Sequence, residues 1–203
     1  MIIETIREPE GFSQAIHAMR NPMNSWANDD SYWQEDDFII GPKDKELSIK
    51  LQKSGPEHCK HLRMIYVWAE ITAPRYWWQE YDTYRFGVDK VSCSTMHKLM
   101  ARPLIRDDFE HDCMNNEFLD YIIESINTSM EAWRYEKDQD VKYEIWRSII
   151  QALPQSYLQK RTVCMSYAAL RNIVKQREGH KLVEWETFIN WAKSLKESWM
   201  IFE

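Results

Sequence analysis

Apolar residues recur every third or fourth position over two stretches of the second half of the chain. The first covers residues 116–135 and the second covers residues 141–152. This spacing places the apolar side chains on one face of an α-helix, so both stretches are predicted to be amphipathic helices. The apolar positions of the first stretch are Phe118, Leu119, Ile122, Ile123, Ile126, Met130 and Trp133.

Other segments have the composition of β-strands. Residues 63–72 are almost continuously apolar, which is typical of a strand that is covered on both faces. Residues 160–166 also predict a strand, and the weak alternation over residues 1–7 predicts an edge strand. With the helices, these segments predict an α+β fold in which helices flank a small central sheet.

Shorter patterns complete the prediction. Residues 24–37 are polar with isolated aromatic side chains and predict a long ordered loop, which favours a functional role or a subunit contact. The chain of 203 residues shows no repeat and no linker, so residues 1–203 are predicted to form a single domain. Helical spacing also predicts helices over residues 11–20, 44–52, 167–177 and 183–199.

The charge narrows the class of ligand. The formal net charge is −6, and no sustained stripe of lysine and arginine is present. This argues against binding of extended nucleic acid, whereas a small-molecule nucleotide needs only a few local arginines. We expect a cytoplasmic protein with no membrane segment, because the sequence begins without a leader pattern and has no apolar run of about 20 residues.

The cysteine and histidine pattern does not predict a metal site. The four cysteines are widely separated, form no CxxC pair and are expected to be reduced. His58 and His61 are three residues apart and could share a helix face as ligands. Beyond Cys59, however, no carboxylate or thiolate pattern accompanies them.

Residues 63–97 hold the densest candidate chemistry. An apolar run is followed by Pro74, an aromatic segment with Arg85, and the small-hydroxyl residues 92–95. Aromatic faces can hold a flat ring, and a guanidinium with hydroxyl groups can bind phosphate, so this pattern suits a nucleotide site. An aromatic core beneath an ordinary turn has the same pattern, with Arg85 paired to Asp82 or Asp89.

This order of residues resembles the signature region of the flavin-dependent thymidylate synthases. In that family a strand ends at a proline, and an aromatic helix, an Arg-His-Arg triplet, a seven-residue gap and a serine follow. Counted from Pro74, the triplet falls on residues 83–85 (Thr-Tyr-Arg), the gap on residues 86–92 and the serine on Cys93. Only Arg85 of the triplet is retained.

A second resemblance to the same family begins at Leu153-Pro154. A family helix ends in Leu-Pro, and a strand and an Asn-x-Arg helix start follow it. Ser166 and Ala168 stand at the asparagine and the arginine of that helix start. Arg177 stands where the family has the arginine that activates the pyrimidine ring. The same side chain, at a helix end, could instead cap carbonyl groups.

The resemblance implies that the protein uses FAD and a folate carbon donor to methylate C5 of dUMP. It also implies a homotetramer, for which the tryptophans of residues 77–78 and 185–199 could supply apolar contacts. It assigns roles to eight residues. Those for the cofactor are His58, Tyr84 and Arg85, those for the substrate are Ser92, Cys93, Ser94, Arg147 and Arg177, and Arg177 is also the catalytic residue.

Two functional hypotheses follow from different classes of protein. Arg85 and Arg177 favour an enzyme that acts on a pyrimidine nucleotide. Thr83 and Tyr84 in the triplet, and Ala168 in the helix start, favour a protein that only binds a nucleotide or a nucleotide-like signal molecule. Each lost bond to a charged group costs about 1.5–3 kcal/mol, so we expect the purified protein to carry little or no flavin.

Overall fold

The computed structural model describes residues 1–203 and confirms the α+β prediction. The helices are α1 (Phe12–Met19), α2 (Pro42–Ser54), α3 (Arg75–Tyr81), α4 (Thr95–Lys98), α5 (Asn116–Tyr135), α6 (Gln139–Ala152), α7 (Tyr167–Arg177), α8 (Val183–Ser194) and α9 (Trp199–Phe202). The strands are β1 (Ile2–Glu10), β2 (Tyr32–Gln34), β3 (Asp37–Ile39), β4 (Tyr66–Pro74), β5 (Val88–Ser92) and β6 (Leu158–Ser166). None of the helices has the length and apolar character that a bilayer-spanning segment requires.

A four-stranded sheet has the order β1–β4–β6–β5, so β1 is an edge strand as predicted. Two backbone bonds show that β4 and β6 run antiparallel. The amide of Tyr167, just after β6, donates to the carbonyl of Ile65, just before β4, at 2.9 Å. At the opposite ends of these strands, the amide of Arg75 donates to the carbonyl of Tyr157 at 3.1 Å.

The boundaries of two predicted elements are wrong. The strand predicted from residue 63 begins at Tyr66, because residues Lys60–Met64 form a 3₁₀ helix. The helix predicted over residues 183–199 ends at Ser194. Leu195 takes an extended conformation, and Glu197 has a positive φ of 52°, so the chain turns before α9.

Two strand regions were not predicted. The loop over residues 24–37 contains β2, which pairs with β3 in a hairpin that places Tyr32 opposite Ile39. These strands have three residues each, too few for a recognisable alternation. Strand β5 reads Val-Asp-Lys-Val-Ser, whose apolar positions do not alternate.

The chain forms two compact units, each built from three segments. The first unit comprises Met1–Ile2, Thr72–Asp82 and Ser92–Arg161, and the second comprises Ile3–Ile71, Thr83–Val91 and Thr162–Glu203. That residues 1–203 behave as a single domain stays a prediction.

In the first unit, α5 and α6 bury most of their predicted apolar stripes in a common core, whereas Phe118 and Val141 remain exposed. The aromatic helix α3 contributes Trp78, whose indole Nε1 donates to the carbonyl of Gln159 at 2.8 Å. Arg161 lies 4.2 Å from the centre of the Trp78 ring and pairs with Asp82 at 2.9 Å. The buried residues around α5 and α6 are Leu99, Met100, Leu104, Phe109, Leu119, Ile126, Met130, Ile149 and Leu153.

In the second unit, α1 and α7 pack against the 3₁₀ helix Lys60–Met64, and α7 also packs against α8 and α9. Trp185 is fully buried here, as Trp77 and Trp78 are in the first unit. The proposed role of these three tryptophans as subunit contacts is therefore wrong, because their rings already pack inside the chain. The largest buried side chains of the second unit are Ile16, Leu62, Ile65, Ile71, Tyr167, Trp185 and Phe188.

A buried ion pair in the second unit holds the segment that leads into the β2–β3 hairpin. Asp44 of α2 and Arg20 are both buried, and Arg20 Nε donates to Asp44 Oδ1 at 2.7 Å. The other carboxylate oxygen accepts from the Ser31 hydroxyl at 2.6 Å and from the amides of Asp30 and Ser31 at 3.1 Å. Burial alone would raise the pKa of Asp44, but these donors and a hydrogen bond from Asp29 lower it, so the carboxylate is charged.

The Asp44→Asn variant should lower the free energy of unfolding by about 3–5 kcal/mol, because it leaves the Arg20 guanidinium buried without a counter-charge. Urea unfolding measures this loss. The matched control is Asp120→Asn, which breaks the exposed pair between Arg106 and Asp120, and a change of less than about 1 kcal/mol is expected for it. Equal losses in both variants would contradict the role assigned to Asp44.

His61 gives the stability a dependence on pH. The imidazole is buried, and its Nε2 lies 2.9 Å from the Ser48 hydroxyl. Burial, together with the charge of Arg171, lowers the pKa of His61 from 6.5 to about 4. Between these two values the unfolded chain takes up a proton that the folded chain does not bind, so stability falls as the pH falls from 6.5 towards 4.

Proton uptake by the unfolded chain at His61 should therefore lower the free energy of unfolding by about 2 kcal/mol as the pH falls from 7 to 4.5. The His61→Gln variant keeps a polar group beside Ser48 but cannot titrate, so its loss over this range should be smaller by that amount. Urea unfolding at both pH values measures the difference. The control variant His97→Gln, at an exposed histidine, should keep the pH dependence of the wild-type unfolding free energy. An unchanged pH dependence in His61→Gln would contradict the role assigned to His61.

Candidate functional site

Helix α7 begins at a point where three segments of the second unit meet. Ser166 caps the helix, since its hydroxyl accepts from the amide of Ala169 at 3.2 Å. The amide of Ser166 donates to the carbonyl of Gly87 at 2.8 Å, and the next amide, of Tyr167, donates to Ile65. The first turn of α7 is thus bonded on one side to residue 87 and on the other to the start of β4.

Gly87 permits this close approach. Its φ is +68°, a conformation that side chains disfavour, and a Cβ at this position would lie 2.5 Å from the Ser166 hydroxyl oxygen. The segment of residues 83–87 therefore lies directly against α7, with Phe86 turned out so that its side chain is 93% exposed.

Two adjoining clefts follow α7 and share Phe86, Ala169 and Asn172, so we describe them together as the α7 groove. The larger cleft has a volume of about 620 Å³ and the smaller about 340 Å³. The larger is lined by Pro56, Cys59, Arg63, Tyr66, Phe86, Gly87, Ser166, Ala168, Ala169, Arg171, Asn172 and Lys175. The smaller is lined by Thr83, Tyr84, Arg85, Phe86, Ala169, Asn172 and Gln176.

The side chains of the larger cleft make it electropositive. Arg63 and Lys175 are exposed and have no protein partner for their charged groups. Arg171 is half-buried, and its Nη1 donates to the Gln52 amide oxygen at 2.9 Å and to the main-chain oxygen of Glu203 at 2.6 Å. No carboxylate side chain lines this cleft, so its chemistry suits an anion.

Cys59 lies at the base of the larger cleft, where its Sγ donates to the carbonyl of Gly55 at 3.3 Å. Burial raises the pKa of this thiol above its usual value of 9.0, although the charges of Arg171, Lys175 and Arg63 oppose the increase. The group is therefore a neutral thiol at neutral pH, and the structure gives it no base that would make it a nucleophile.

Arg177 lies at the far end of α7, in contact with Tyr84 and Trp185. Its Nε donates to the Tyr84 hydroxyl oxygen at 2.8 Å, and the same hydroxyl donates to the Gln176 amide oxygen at 3.4 Å. The guanidinium carbon lies 4.6 Å from the centre of the Trp185 ring and 5.4 Å from that of Tyr84. Nη1 lies 3.2 Å from Nε2 of His180. The guanidinium is thus held in one orientation between two rings.

Arg85 does not form either of the ion pairs that its sequence neighbours allow. Its side chain is exposed and has no protein partner, because Asp82 pairs with Arg161 and Asp89 makes no bond to it. Arg85 lines the smaller cleft, so its charge is available to a ligand.

The remaining predicted substrate residues belong to the first unit. Ser92 ends β5, Cys93 is exposed, and the Ser94 hydroxyl caps α4 by accepting from the amide of His97 at 3.3 Å. The amide of Cys93 donates to the carbonyl of Lys160 at 2.9 Å, which continues the sheet. Arg147 lies exposed on α6 without a partner.

The structure brings together only part of the predicted set. Tyr84 and Arg85 line the smaller cleft, and Arg177 contacts Tyr84, whereas His58 is half-exposed and lies 3.5 Å from the Glu57 carboxylate. The cations and rings of the larger cleft were not predicted from the sequence. Arg171 and Lys175 could have been found, because residues four apart on a helix share a face. The residues missed are Arg63, Tyr66, Phe86, Arg171, Asn172 and Lys175.

Comparison with known proteins identifies the fold. No protein-family model matches the sequence, and no curated protein matches it. Among solved structures, a flavin-dependent thymidylate synthase ThyX from Helicobacter pylori complexed with FAD and dUMP matches with a TM-score of 0.74 and 18% identity. That match covers 99% of this chain and 98% of the other.

A second crystal structure of Helicobacter pylori ThyX, also with FAD and dUMP, matches with a TM-score of 0.72. The identity is again 18%, and the match covers 100% of this chain and 98% of the other. The chain therefore has the fold of the flavin-dependent thymidylate synthases, as the resemblance of its motifs implied.

The contact between Tyr84 and Arg177 can be tested by the Tyr84→Phe variant, which keeps the ring and removes the hydroxyl. We expect the free energy of unfolding to fall by about 1.5–3 kcal/mol, because a hydrogen bond to a charged group is lost. Urea unfolding measures the change. The control is Tyr143→Phe at an exposed tyrosine of α6, for which less than about 0.5 kcal/mol is expected. An unchanged stability in Tyr84→Phe would show that the bond does not hold Arg177.

Proposed function

We propose that this protein is a divergent flavin-dependent thymidylate synthase-like protein that acts on a pyrimidine nucleotide such as dUMP. The shared fold supports the proposal, since the Helicobacter pylori proteins of that fold are complexed with FAD and dUMP. The α7 groove is the region of this chain that we assign to nucleotide and flavin.

The observation that carries the proposal is the composition of the α7 groove. Arg63, Lys175 and Arg85 present charges without protein partners, and Tyr66 and Phe86 present ring faces beside them. Ligand sites combine apolar and aromatic walls with a few convergent polar groups. A ligand that carries phosphate on a flat, ring-bearing body matches both features.

Arg177 and Arg85 take different roles in this proposal. The guanidinium of Arg177 is fixed by Tyr84 and Trp185, so it can present its planar fork to a carbonyl or anionic oxygen without reorganising. Such a fixed cation stabilises negative charge that develops on a pyrimidine ring. Arg85, which the resemblance assigns to the cofactor, is unconstrained, and we propose instead that it binds the phosphate of the nucleotide. Ser92, Cys93, Ser94 and Arg147 remain proposed substrate contacts of the first unit.

The residue types that line the groove suit a flavin nucleotide. Tyr66 and Phe86 suit a flat ring system, and Arg63 and Lys175 suit phosphate groups. When bound and reduced, FAD supplies the electrons that methylation of the pyrimidine consumes. In this chain Tyr84 stands where the family triplet has a histidine, and its ring is buried against Arg177 and Trp185. Flavin binding therefore depends on stacking by Tyr66 and Phe86 and on cations outside the triplet. His58 remains a proposed flavin contact.

One observation favours a second candidate function, a binding protein without catalysis. The hydroxyl of Tyr84 and the ring of Trp185 both contact the Arg177 guanidinium. Part of this guanidinium is therefore already engaged by the protein and is not available to activate a substrate. In that case the groove holds a nucleotide or a nucleotide-like signal molecule and performs no chemistry on it.

We propose a homotetramer in either case. The tryptophans first suggested as contacts are buried, but α5 and α6 carry other large apolar side chains on their outer faces. Exposed apolar patches of this kind mark interaction surfaces. The exposed side chains on and beside these helices are Phe118, Tyr121, Tyr135, Val141 and Tyr143.

Binding and turnover can be measured on one preparation of the protein. We expect a nearly colourless protein that binds dUMP in calorimetry and converts it to the C5-methylated nucleotide when FAD, a reductant and a folate carbon donor are supplied. The Arg85→Gln variant should bind dUMP about tenfold or more weakly, because one charge-assisted contact to phosphate is lost. Lys43→Gln removes an exposed charge outside the groove and should change nothing.

The outcomes separate the two candidates. Turnover supports the enzyme, and binding of dUMP without turnover supports the binding protein. If no pyrimidine nucleotide and no flavin binds, both candidates are wrong and the fold serves another purpose.

A further inference from the structure

The larger cleft of the α7 groove contains three cations at positions that the family motifs do not specify. Arg171 and Lys175 are four residues apart on α7, so both side chains project from one face of the helix. Arg63 comes from the segment just before β4, on the other side of the cleft. Ala168 leaves the helix start without the arginine that the family has there.

The three cations line the same cleft, together with the buried Cys59. Their charges also favour the thiolate form of Cys59, although burial outweighs them and raises the pKa of the thiol. Arg171 is held by the buried amide of Gln52, whereas Arg63 and Lys175 are exposed and have no protein partner.

No carboxylate side chain that lines the cleft cancels this charge. Glu57 also affects the Cys59 thiol, but its side chain does not line the cleft and lies 3.5 Å from Nε2 of His58. Arg171 has one oxygen partner on Glu203. Two cations therefore remain without a counter-charge, and the third is oriented beside them.

A single phosphate group would not use this arrangement fully. It carries at most two negative charges near neutral pH, and the cleft, at about 620 Å³, is in the range of sites for whole ligands. A chain of two or more linked phosphates could contact cations from both sides of the cleft at once. The exposed ring of Phe86 and the ring of Tyr66 lie on the same cleft, where a base or another flat ring could stack.

We propose that Arg63, Arg171 and Lys175 form a site for a chain of two or more phosphates attached to a flat ring. A dinucleotide such as FAD and a nucleoside di- or triphosphate share this chemistry. The proposal deepens the proposed function and rests on it, because it specifies which ligands of the groove are preferred: those with linked phosphates over monophosphates such as dUMP or FMN.

Calorimetry with two matched ligand pairs tests the preference. FAD is compared with FMN, and dUTP with dUMP. The second pair differs only in the number of phosphates, whereas FAD also carries an adenosine, so the effect of the cation variants decides whether its advantage comes from the phosphates. We expect at least one polyphosphate ligand to bind about tenfold or more tightly than its monophosphate partner, which corresponds to one additional charge-assisted contact. The advantage should shrink as salt is raised from roughly 0.05 M to 0.5 M, because the cations are partly exposed.

The variants Arg63→Gln and Lys175→Gln should each remove most of that advantage while leaving the melting temperature unchanged, since neither side chain has a protein partner. Lys43→Gln serves as the control, as it removes the same charge from an exposed site outside the groove. A preference for FAD alone identifies a dinucleotide site, and a preference for dUTP alone identifies a triphosphate site; both support the proposal.

Equal affinities within both pairs, or an advantage that survives in both variants, would overturn the proposal. Different outcomes would contradict the polyphosphate site and the proposed function. If dUMP is bound and methylated but neither Arg63 nor Lys175 affects any ligand, the polyphosphate site is wrong and the function stands. If the polyphosphate preference depends on these cations but dUMP is neither bound nor converted, the site is supported and the proposed function is wrong.

Discussion

The contact between Gly87 and the first turn of α7 sets the position of the segment that forms one wall of the candidate site. Because the Ser166 amide donates to the Gly87 carbonyl at 2.8 Å, residues 83–87 lie against the helix along its length. A side chain at residue 87 would push this segment away, since its Cβ would lie 2.5 Å from the Ser166 hydroxyl. With the opposite bond from Tyr167 to Ile65, the helix start is held between two strands. The groove is therefore part of the rigid framework of the second unit.

Within this framework two groups of cations beside α7 differ in character. In the larger cleft, Arg63 and Lys175 carry charges without protein partners beside a neutral thiol and aromatic rings. Arg177, which lies with Lys175 in the last turn of α7, is held by a hydroxyl and by two aromatic faces. Exposed cations suit the capture of phosphate, whereas a fixed guanidinium suits the orientation of one particular oxygen. This division is what a protein needs in order to hold a nucleotide by its phosphates and present its ring.

The sequence predicts the elements whose apolar spacing is long and regular. The limits predicted for α5 and α7 agree with those observed, and the start of each helix is set by a capping side chain, Asn115 or Ser166. The hairpin of β2 and β3 and the strand β5 were missed, because short strands have no pattern that distinguishes them from loops. The candidate site was likewise predicted only in part. The motif order located Tyr84, Arg85 and Arg177, but the cleft that joins Arg63 to α7 depends on tertiary contacts that no local pattern contains.

The central claim is that the α7 groove is the ligand site, and a crystal structure of the protein soaked with FAD or dUTP tests it most directly. The account predicts phosphate oxygens within hydrogen-bonding distance of Arg63 and Lys175, with a ring of the ligand against Phe86 or Tyr66. A ligand bound elsewhere, with the groove filled only by solvent, would contradict it.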